Sequence, residues 1–275
     1  MVHRKGHVWT ASKLEFLEKY LPVFTKIIGR NFPKNKKLYV DGYAGPGTNT
    51  IGGKIKLGSP LLAINASPAF DELYLVEKKL GLVQQLRQNI ADMNLPPERQ
   101  AQIHVQQGDF NVEVDSILRA LPHIPTFFFL DPEGLELEWE TVRKIGRRRA
   151  DVFILISAGG VTRCAGNQLT HDSVTRFYGH ERWRPIAEGV DPNHIIGQSK
   201  FEAFVELYLE GLRGLGFAHV ERFLIAATIK NSQLHALVFA AKNDTAIKIA
   251  GQILERIQRE QRKQDKGADP LLPLN

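Results

Sequence analysis

One cysteine, Cys164, is the only thiol in 275 residues. An internal disulfide is thereby excluded, as is any metal or iron–sulfur site built on this chain's cysteines. The lone thiol suits a reducing cytosol, so a cytoplasmic location is expected, and Cys164 reads as a small packed residue rather than a nucleophile. No apolar run approaches the ~18 residues that a membrane helix needs, so no membrane partner is expected. The start, Met1-Val2-His3-Arg4-Lys5-Gly6-His7, has no apolar core behind its charges, which argues against a secretory signal. The nine histidines are scattered without ligand-like spacing, and no metal is implied. Also missing is a Gly-x-Gly-x-x-Gly turn opening straight into a helix, the arrangement that caps a dinucleotide pyrophosphate.

What is present is ordinary globular material, 43% apolar and 24% charged, enough for one large α/β domain. The net charge of +6 permits a polyanionic partner without requiring one. The densest basic cluster, Arg143, Lys144, Arg147, Arg148 and Arg149, closes a predicted helix just before a strand at Asp151–Ser157. Cations at a helix C-terminus are favoured by the dipole. That position lies across the sheet from a ligand crevice, so the cluster reads as a solvated helix end rather than a nucleic-acid patch.

The most informative stretch is Leu38-Tyr39-Val40-Asp41-Gly42-Tyr43-Ala44-Gly45-Pro46-Gly47. An apolar run ends in an acid and then a glycine-rich turn, as a buried strand does where it meets a ligand crevice. Glycines there let a ligand approach the backbone. The order Gly-x-x-Gly-Pro-Gly, with no helix at once, argues against NAD and for a nucleoside without phosphates, such as S-adenosyl-L-methionine.

Further strands are predicted at Leu73–Glu77, Gln102–Gln106, Thr126–Leu130 and Val152–Ile156, and the continuous apolar runs among them, Thr126–Leu130 above all, are of the kind buried on both faces of a parallel sheet. Between them come helices opening at Ser59-Pro60, with Ser59 as N-cap, and running through Leu86 and Ile90, then Ile117 and Leu121. Thr48 to Gly58 reads as a polar loop carrying Lys54 and Lys56. Before the first strand, residues 10–30 have helical spacing, with Ser12 and Glu15 as a capping box and Pro22 interrupting. After the fifth strand, residues 158–199 read as an irregular or helical insertion. A helix at Phe201–Leu215 follows. Val220–Thr228 and Leu234–Ala241 are separated only by Lys230-Asn231-Ser232, too short for a crossover, so that pair is antiparallel. A charged helix at Gln252–Lys266 and a loose tail, Ala268–Asn275, close the chain. The expected fold is α/β and Rossmann-like, a mostly parallel seven-stranded sheet with a C-terminal antiparallel hairpin, the layout of a class I methyltransferase. Residues 1–35 would form a helical extension, 36–250 the Rossmann-like domain with 158–199 as insertion or lid, and 251–275 the C-terminal helix and tail.

Four strand ends in succession present an acid: Asp41, Glu77, Asp109 and Asp131. Parallel strands point their carboxyl ends one way, so the four are expected to line one crevice. A carboxylate such as Glu77 can accept both hydroxyls of a ribose. Asp109 can take an adenine amino group while Phe110 covers the ring. Main-chain groups from Gly45 to Gly47 would lie along the methionine portion.

The segments Asp41 to Gly47, Gly58-Ser59-Pro60, Val76-Glu77-Lys78 and Phe129-Leu130-Asp131-Pro132-Glu133-Gly134 together resemble the three-Cys-motif partner protein family, over roughly residues 7–255. The segment His7 to Lys13 and Leu237 to Lys242 fit the same pattern. That family resembles class I S-adenosylmethionine-dependent methyltransferases and is named for its association with a separate three-cysteine protein. The resemblance implies that cofactor and that partner, and places Asp41, Gly45, Gly47, Glu77, Asp109 and Asp131 at cofactor-pocket positions. One departure stands out. Enzymes that methylate base amines resemble one another in an Asp-Pro-Pro-aromatic signature, and this chain has Glu133 after Asp-Pro, with no aromatic before Trp139. Asp131 is therefore the first candidate for the residue beside the transferring methyl, and Glu133 a second, as general base.

The insertion interleaves Arg163, Arg176, Arg182 and His180 with Tyr178 and Trp183, which suits an anionic or nucleic-acid substrate at the crevice. Packing of Phe177, Tyr178 and Trp183 onto the sheet edge accounts for the aromatics equally well. The expectation is a methyltransferase acting on nucleic acid or another anion together with the three-cysteine protein. A non-catalytic nucleoside-binding adaptor for that protein is the alternative, and a NAD(P)-linked oxidoreductase is disfavoured by the glycine order.

Overall fold

The computed structural model describes residues 4–5, 8–120, 123–190, 199–225 and 235–267. Seven strands form the main sheet: β1 (Leu38–Asp41), β2 (Glu72–Glu77), β3 (Ile103–Gln107), β4 (Thr126–Leu130), β5 (Ala150–Ser157), β6 (His219–Ile225) and β7 (His235–Ala241). Their spatial order is β3-β2-β1-β4-β5-β7-β6. All neighbours are parallel except β7, which runs antiparallel to both β5 and β6. The expected hairpin is thus present. Its turn, Lys230-Asn231-Ser232, and the strand ends assigned to 226–228 and Leu234 lie outside the described residues. So do Leu121, the tail Ala268–Asn275, and residues 1–3 and 6–7 of the start.

Period-two geometry splits each strand's side chains between two apolar layers. Phe127 and Phe129 join one layer with Tyr39, Phe153 and Phe239, whereas Phe128 and Leu130 join the other with Val40, Val152 and Ile154. That two-sided burial is why these strands read as unbroken apolar runs. The first layer is covered by α1 (Val8–Asn31), α2 (Ser59–Ile64), α3 (Leu80–Ala91) and α10 (Asp244–Gly267). The second is covered by α4 (Phe110–Ala120), α5 (Trp139–Gly146), α6 (Ala158–Ala165), α7 (His171–Tyr178), α8 (Arg184–Glu188) and α9 (Lys200–Gly214).

Several elements differ from expectation. Helix α1 begins at Val8, so Ser12 is a buried interior residue and no capping box forms there. Pro22 lies inside the same helix. Ser59 is the first residue of α2 rather than its cap, which is Gly58. The loop 48–58 is a β-hairpin, Thr48–Ile51 against Lys54–Leu57, with Arg4–Lys5 as a third strand. Its turn residues Gly52 and Gly53 have φ of +56° and +75°, the pair of positive values that a type I′ turn requires. The insertion is largely helical over its described residues, 158–190, with 191–198 outside them, and its aromatics are packed: Phe177, Tyr178 and Trp183 are each at most 1% exposed. Its cations face outward, Arg176 toward Glu138 and Arg182 toward Glu210. Cys164 packs against the same core as a partly buried side chain.

Candidate functional site

The chain passes from β1 to β2 and β3 on one side, then returns to place β4 on the other side of β1. Such a reversal leaves a crevice outside the carboxyl ends of the strands. Gly42 is the first residue past β1, and its N–H donates to Phe129 O on β4 at 3.1 Å. A Cβ on Gly42 would come within 2.9 Å of both the Phe110 and the Leu130 side chains, so only glycine lets the strand end pass there. Beyond it lies a cleft of about 530 Å³, its open mouth included, bounded by Tyr43, Glu77, Asp109, Phe110, Asp131 and Glu133 among others.

Glu77 is buried and already braces the site. Its carboxylate accepts the Gly45 N–H at 2.9 Å and the Lys79 N–H at 2.8 Å, tying the turn after β1 to the end of β2. Asp109 sits at the head of α4 and accepts from the Asn111 backbone and side chain, both at 3.0 Å, and from Lys78 at 2.9 Å. Burial alone would raise the Asp109 carboxyl, but the Lys78 ammonium and the Asn111 donors outweigh it and hold it below its ordinary value. Phe110 is 2% exposed, with its ring packed beside Tyr43 at a centroid distance of 6.0 Å.

Asp131, just past β4, is 4% exposed and forms a buried ion pair with Lys13 of α1. Glu133 is different: half-exposed, it pairs with Lys79 at 2.7 Å. Its N–H donates to Glu136 at 3.2 Å. Burial raises the Glu136 carboxyl, and the neighbouring Glu133 charge adds to this. A second, smaller cavity of about 290 Å³ lies along the glycine turn, with Lys13, Gly45, Gly47 and Ser59 in its wall. Tyr43 and Asp131 line both cavities.

The structure therefore brings Glu77, Asp109, Phe110, Asp131 and Glu133 to one cavity and Gly45 and Gly47 to its neighbour. Asp41 is not in either wall. It is fully buried beneath the turn, where it accepts from the Tyr43 N–H and the Tyr39 hydroxyl, each at 3.1 Å, and from the Ser59 hydroxyl. Burial pushes its carboxyl up to about 7 against those donors. Its place is that of a brace joining β1, the turn and α2. Gly47, with φ of +82°, is held by packing, since a Cβ there would meet Leu86 and Leu61.

Sequence reasoning missed Lys13, Tyr43 and Glu136. Tyr43 carries a signal of its own, an aromatic inside the glycine turn. Its hydroxyl is buried without a hydrogen-bond partner among the described residues. Among the described residues, no group of three or more His, Cys, Asp or Glu side chains is placed to hold a metal ion. No described helix is long and apolar enough to cross a membrane.

No family model matches this sequence, and no curated protein does. Solved structures do. Protein LPL1258 from Legionella pneumophila strain Philadelphia 1 is similar with a TM-score of 0.56 at 14% identity, over 88% of this chain and 91% of that one. The methyltransferase domain of bacterial CtHen1-C has a TM-score of 0.43 at 12% identity, over 81% of this chain and 98% of that one. Trm1 from Pyrococcus horikoshii, solved with S-adenosyl-L-methionine, has a TM-score of 0.43 at 14% identity, over 86% of this chain and 57% of that one. At these identities the likeness is one of fold, and the first comparison together with the sheet order carries it. The chain has a Rossmann-like fold, mixed α/β with a mainly parallel seven-stranded sheet.

Proposed function

We propose that the protein binds S-adenosylmethionine and transfers its methyl group. The observation that carries this reading is the charge of the main cavity. Glu77, Asp109, Asp131, Glu133 and Glu136 line it against Lys78 and Lys79, at the point where the strand order reverses. Such a wall favours a cationic nucleoside, as a sulfonium is, and repels a dinucleotide's pyrophosphate.

The residues fit that ligand. Each Glu77 oxygen accepts one backbone N–H, so each keeps a lone pair for a ribose hydroxyl. Asp109 would take the adenine amino group beside the Phe110 ring. Apart from its two chain neighbours, nothing lies within 4 Å of where a Gly45 Cβ would be, which leaves the ligand room to approach the turn. Lys13, in the wall of the second cavity, would stand near the methionine carboxylate. Bound there, the cofactor supplies an electrophilic methyl group, and in-line transfer depends on orientation more than on a strong base. Asp131, fixed in place by Lys13, would accept a hydrogen from the attacking group. Glu133 would first have to leave Lys79, so it is the weaker candidate for a base. An acceptor of nucleic-acid or other anionic type, and the three-cysteine protein as companion, complete the reading. Both rest on the sequence resemblance alone.

A second reading is a nucleoside-binding adaptor without chemistry. The observation favouring it is that Asp131 and Glu133 are both engaged by lysines. Thermal-shift titration with S-adenosylhomocysteine and with NAD tests the shared part: the first should raise the unfolding midpoint and the second should not. Incubation with labelled methyl donor and cell extract then separates enzyme from adaptor, since an adaptor binds the donor and yields no labelled product.

A further inference from the structure

A larger cavity lies at the other end of the sheet, where β4 and β5 begin, and the methyl-transfer reading does not use it. The second half of α1, residues 147–151 and the start of α10 enclose about 1210 Å³ there, open mouth included. Three features set its chemistry. The rim is cationic: Arg147, Arg148 and Arg149 follow α5 in succession, and none of their side chains is in an ion pair among the described residues. One wall is apolar and partly aromatic, formed by Ile27, Ile28 and Phe32, and the Arg149 guanidinium lies 4.8 Å from the centre of the Phe32 ring. The lining also holds a single carboxylate, Asp151, which accepts from the Tyr20 hydroxyl at 3.2 Å.

Each feature selects part of a ligand. Consecutive arginines without an ion pair among the described residues suit a group with several anionic oxygens, which their planar forks hold in pairs. The first turn of α10, a 24-residue helix, opens into the same space through Thr245 and Ala246, and its dipole adds to that preference, although the Thr245 N–H itself is taken by the Asn243 side chain at 2.8 Å. An apolar wall with a stacked guanidinium suits a flat ring. A carboxylate that keeps lone pairs after its bond to Tyr20 suits an amino donor on that ring. We infer that this cavity is a nucleotide site, with the phosphate on Arg147–Arg149 and an amino-bearing base between the α1 wall and Asp151. The basic run that reads as a solvated helix end in sequence thus gains a role from what α1 and α10 pack around it. A concave, apolar-walled space favours a mononucleotide over a polynucleotide strand, which needs an extended cationic stripe.

The test uses the full chain and titrates AMP, CMP, GMP and UMP by calorimetry at physiological ionic strength. The expected result is saturable one-to-one binding of at least one amino-bearing nucleotide, about tenfold or more tighter than UMP, unchanged by saturating S-adenosylhomocysteine. The Arg147→Glu, Arg149→Glu double variant should weaken it by about tenfold or more, as loss of charge-assisted hydrogen bonds does. Both side chains are exposed, so that variant's own unfolding midpoint should stay near the parent's. Asp151→Asn should narrow the preference among bases. Four results would overturn the inference: no nucleotide binding, displacement by S-adenosylhomocysteine, inorganic phosphate or UMP binding as tightly as the amino-bearing nucleotides, or capture of single-stranded oligonucleotides without capture of mononucleotides.

Discussion

Lys13 and Asp131 come from positions 118 apart and meet in a buried ion pair beside the candidate site. In sequence, a lysine on an amphipathic helix reads as solvated, and only the packing of α1 across the ends of β1 and β4 makes it a partner. Glu77 was legible because its position at a strand end fixes its direction, whereas Asp41, at an equivalent end, turned inward because the Ser59 hydroxyl and the turn N–H of Tyr43 were there to bond it. Removing one member of a buried pair strands the other's charge, so Lys13→Met should cost roughly 3–5 kcal/mol in urea unfolding. Joint replacement, Lys13→Met with Asp131→Leu, should recover most of it, and an equal loss in both variants would contradict the pairing. Two carboxyls, Asp41 and Asp151, are each pushed up to about 7 by burial. Between the ordinary carboxyl range and about pH 7 the native chain then holds more protons than the unfolded one. Their contribution is full below pH ~4 and is lost as pH rises through about 7, by up to ~1.4 kcal/mol per pH unit for each group. Asp151→Asn should flatten its share of that decline, and parallel stability profiles from about pH 5 to 7 would refute the assignment.

Helix α1 and the hairpin at 48–57 mark the two extremes of what could be read at the level of elements. The α1 stripe was plain, and Leu17, Tyr20, Leu21 and Phe24 of it are all at most 4% exposed, with Phe16 buried beside them. Phe16 stacks on Phe153 at 4.8 Å, so the helix is part of the sheet's cover. A chain lacking residues 8–31 would uncover that aromatic layer. It should bind a hydrophobic dye and lose cooperative unfolding; a sharp unfolding transition without dye binding would show that α1 is dispensable. The hairpin was missed because Gly52-Gly53 and two lysines looked like solvated loop, although Lys54-Ile55-Lys56-Leu57 alternates as an edge strand does. Ile55 is 59% exposed, so little burial marked the segment in advance. The Ser59 cap was misplaced by one residue for a related reason: its hydroxyl is taken by Asp41, and Gly58 enters the helix instead.

Over the whole molecule, the sheet was legible because parallel strands buried on both faces carry an apolar residue at nearly every position, and acids then mark where each strand leaves the core. The direction of every side chain past those ends was not legible, since it is set by helices that arrive from elsewhere in the chain. The same rule explains why the crevice could be expected at the β1–β4 reversal, while the basic cavity at the opposite end could not. Its walls come from α1, residues 147–151 and the start of α10, which sequence alone does not juxtapose. The proposed activity depends on the acid-lined crevice holding S-adenosylmethionine through Glu77. Calorimetric titration of S-adenosylhomocysteine into the parent chain and into Glu77→Ala tests it most directly. Saturable one-to-one binding to the parent is expected, with a loss of about tenfold or more in the variant, as removal of charge-assisted hydrogen bonds implies. Absence of binding to the parent, or an unchanged affinity in a variant that still unfolds cooperatively, would contradict it.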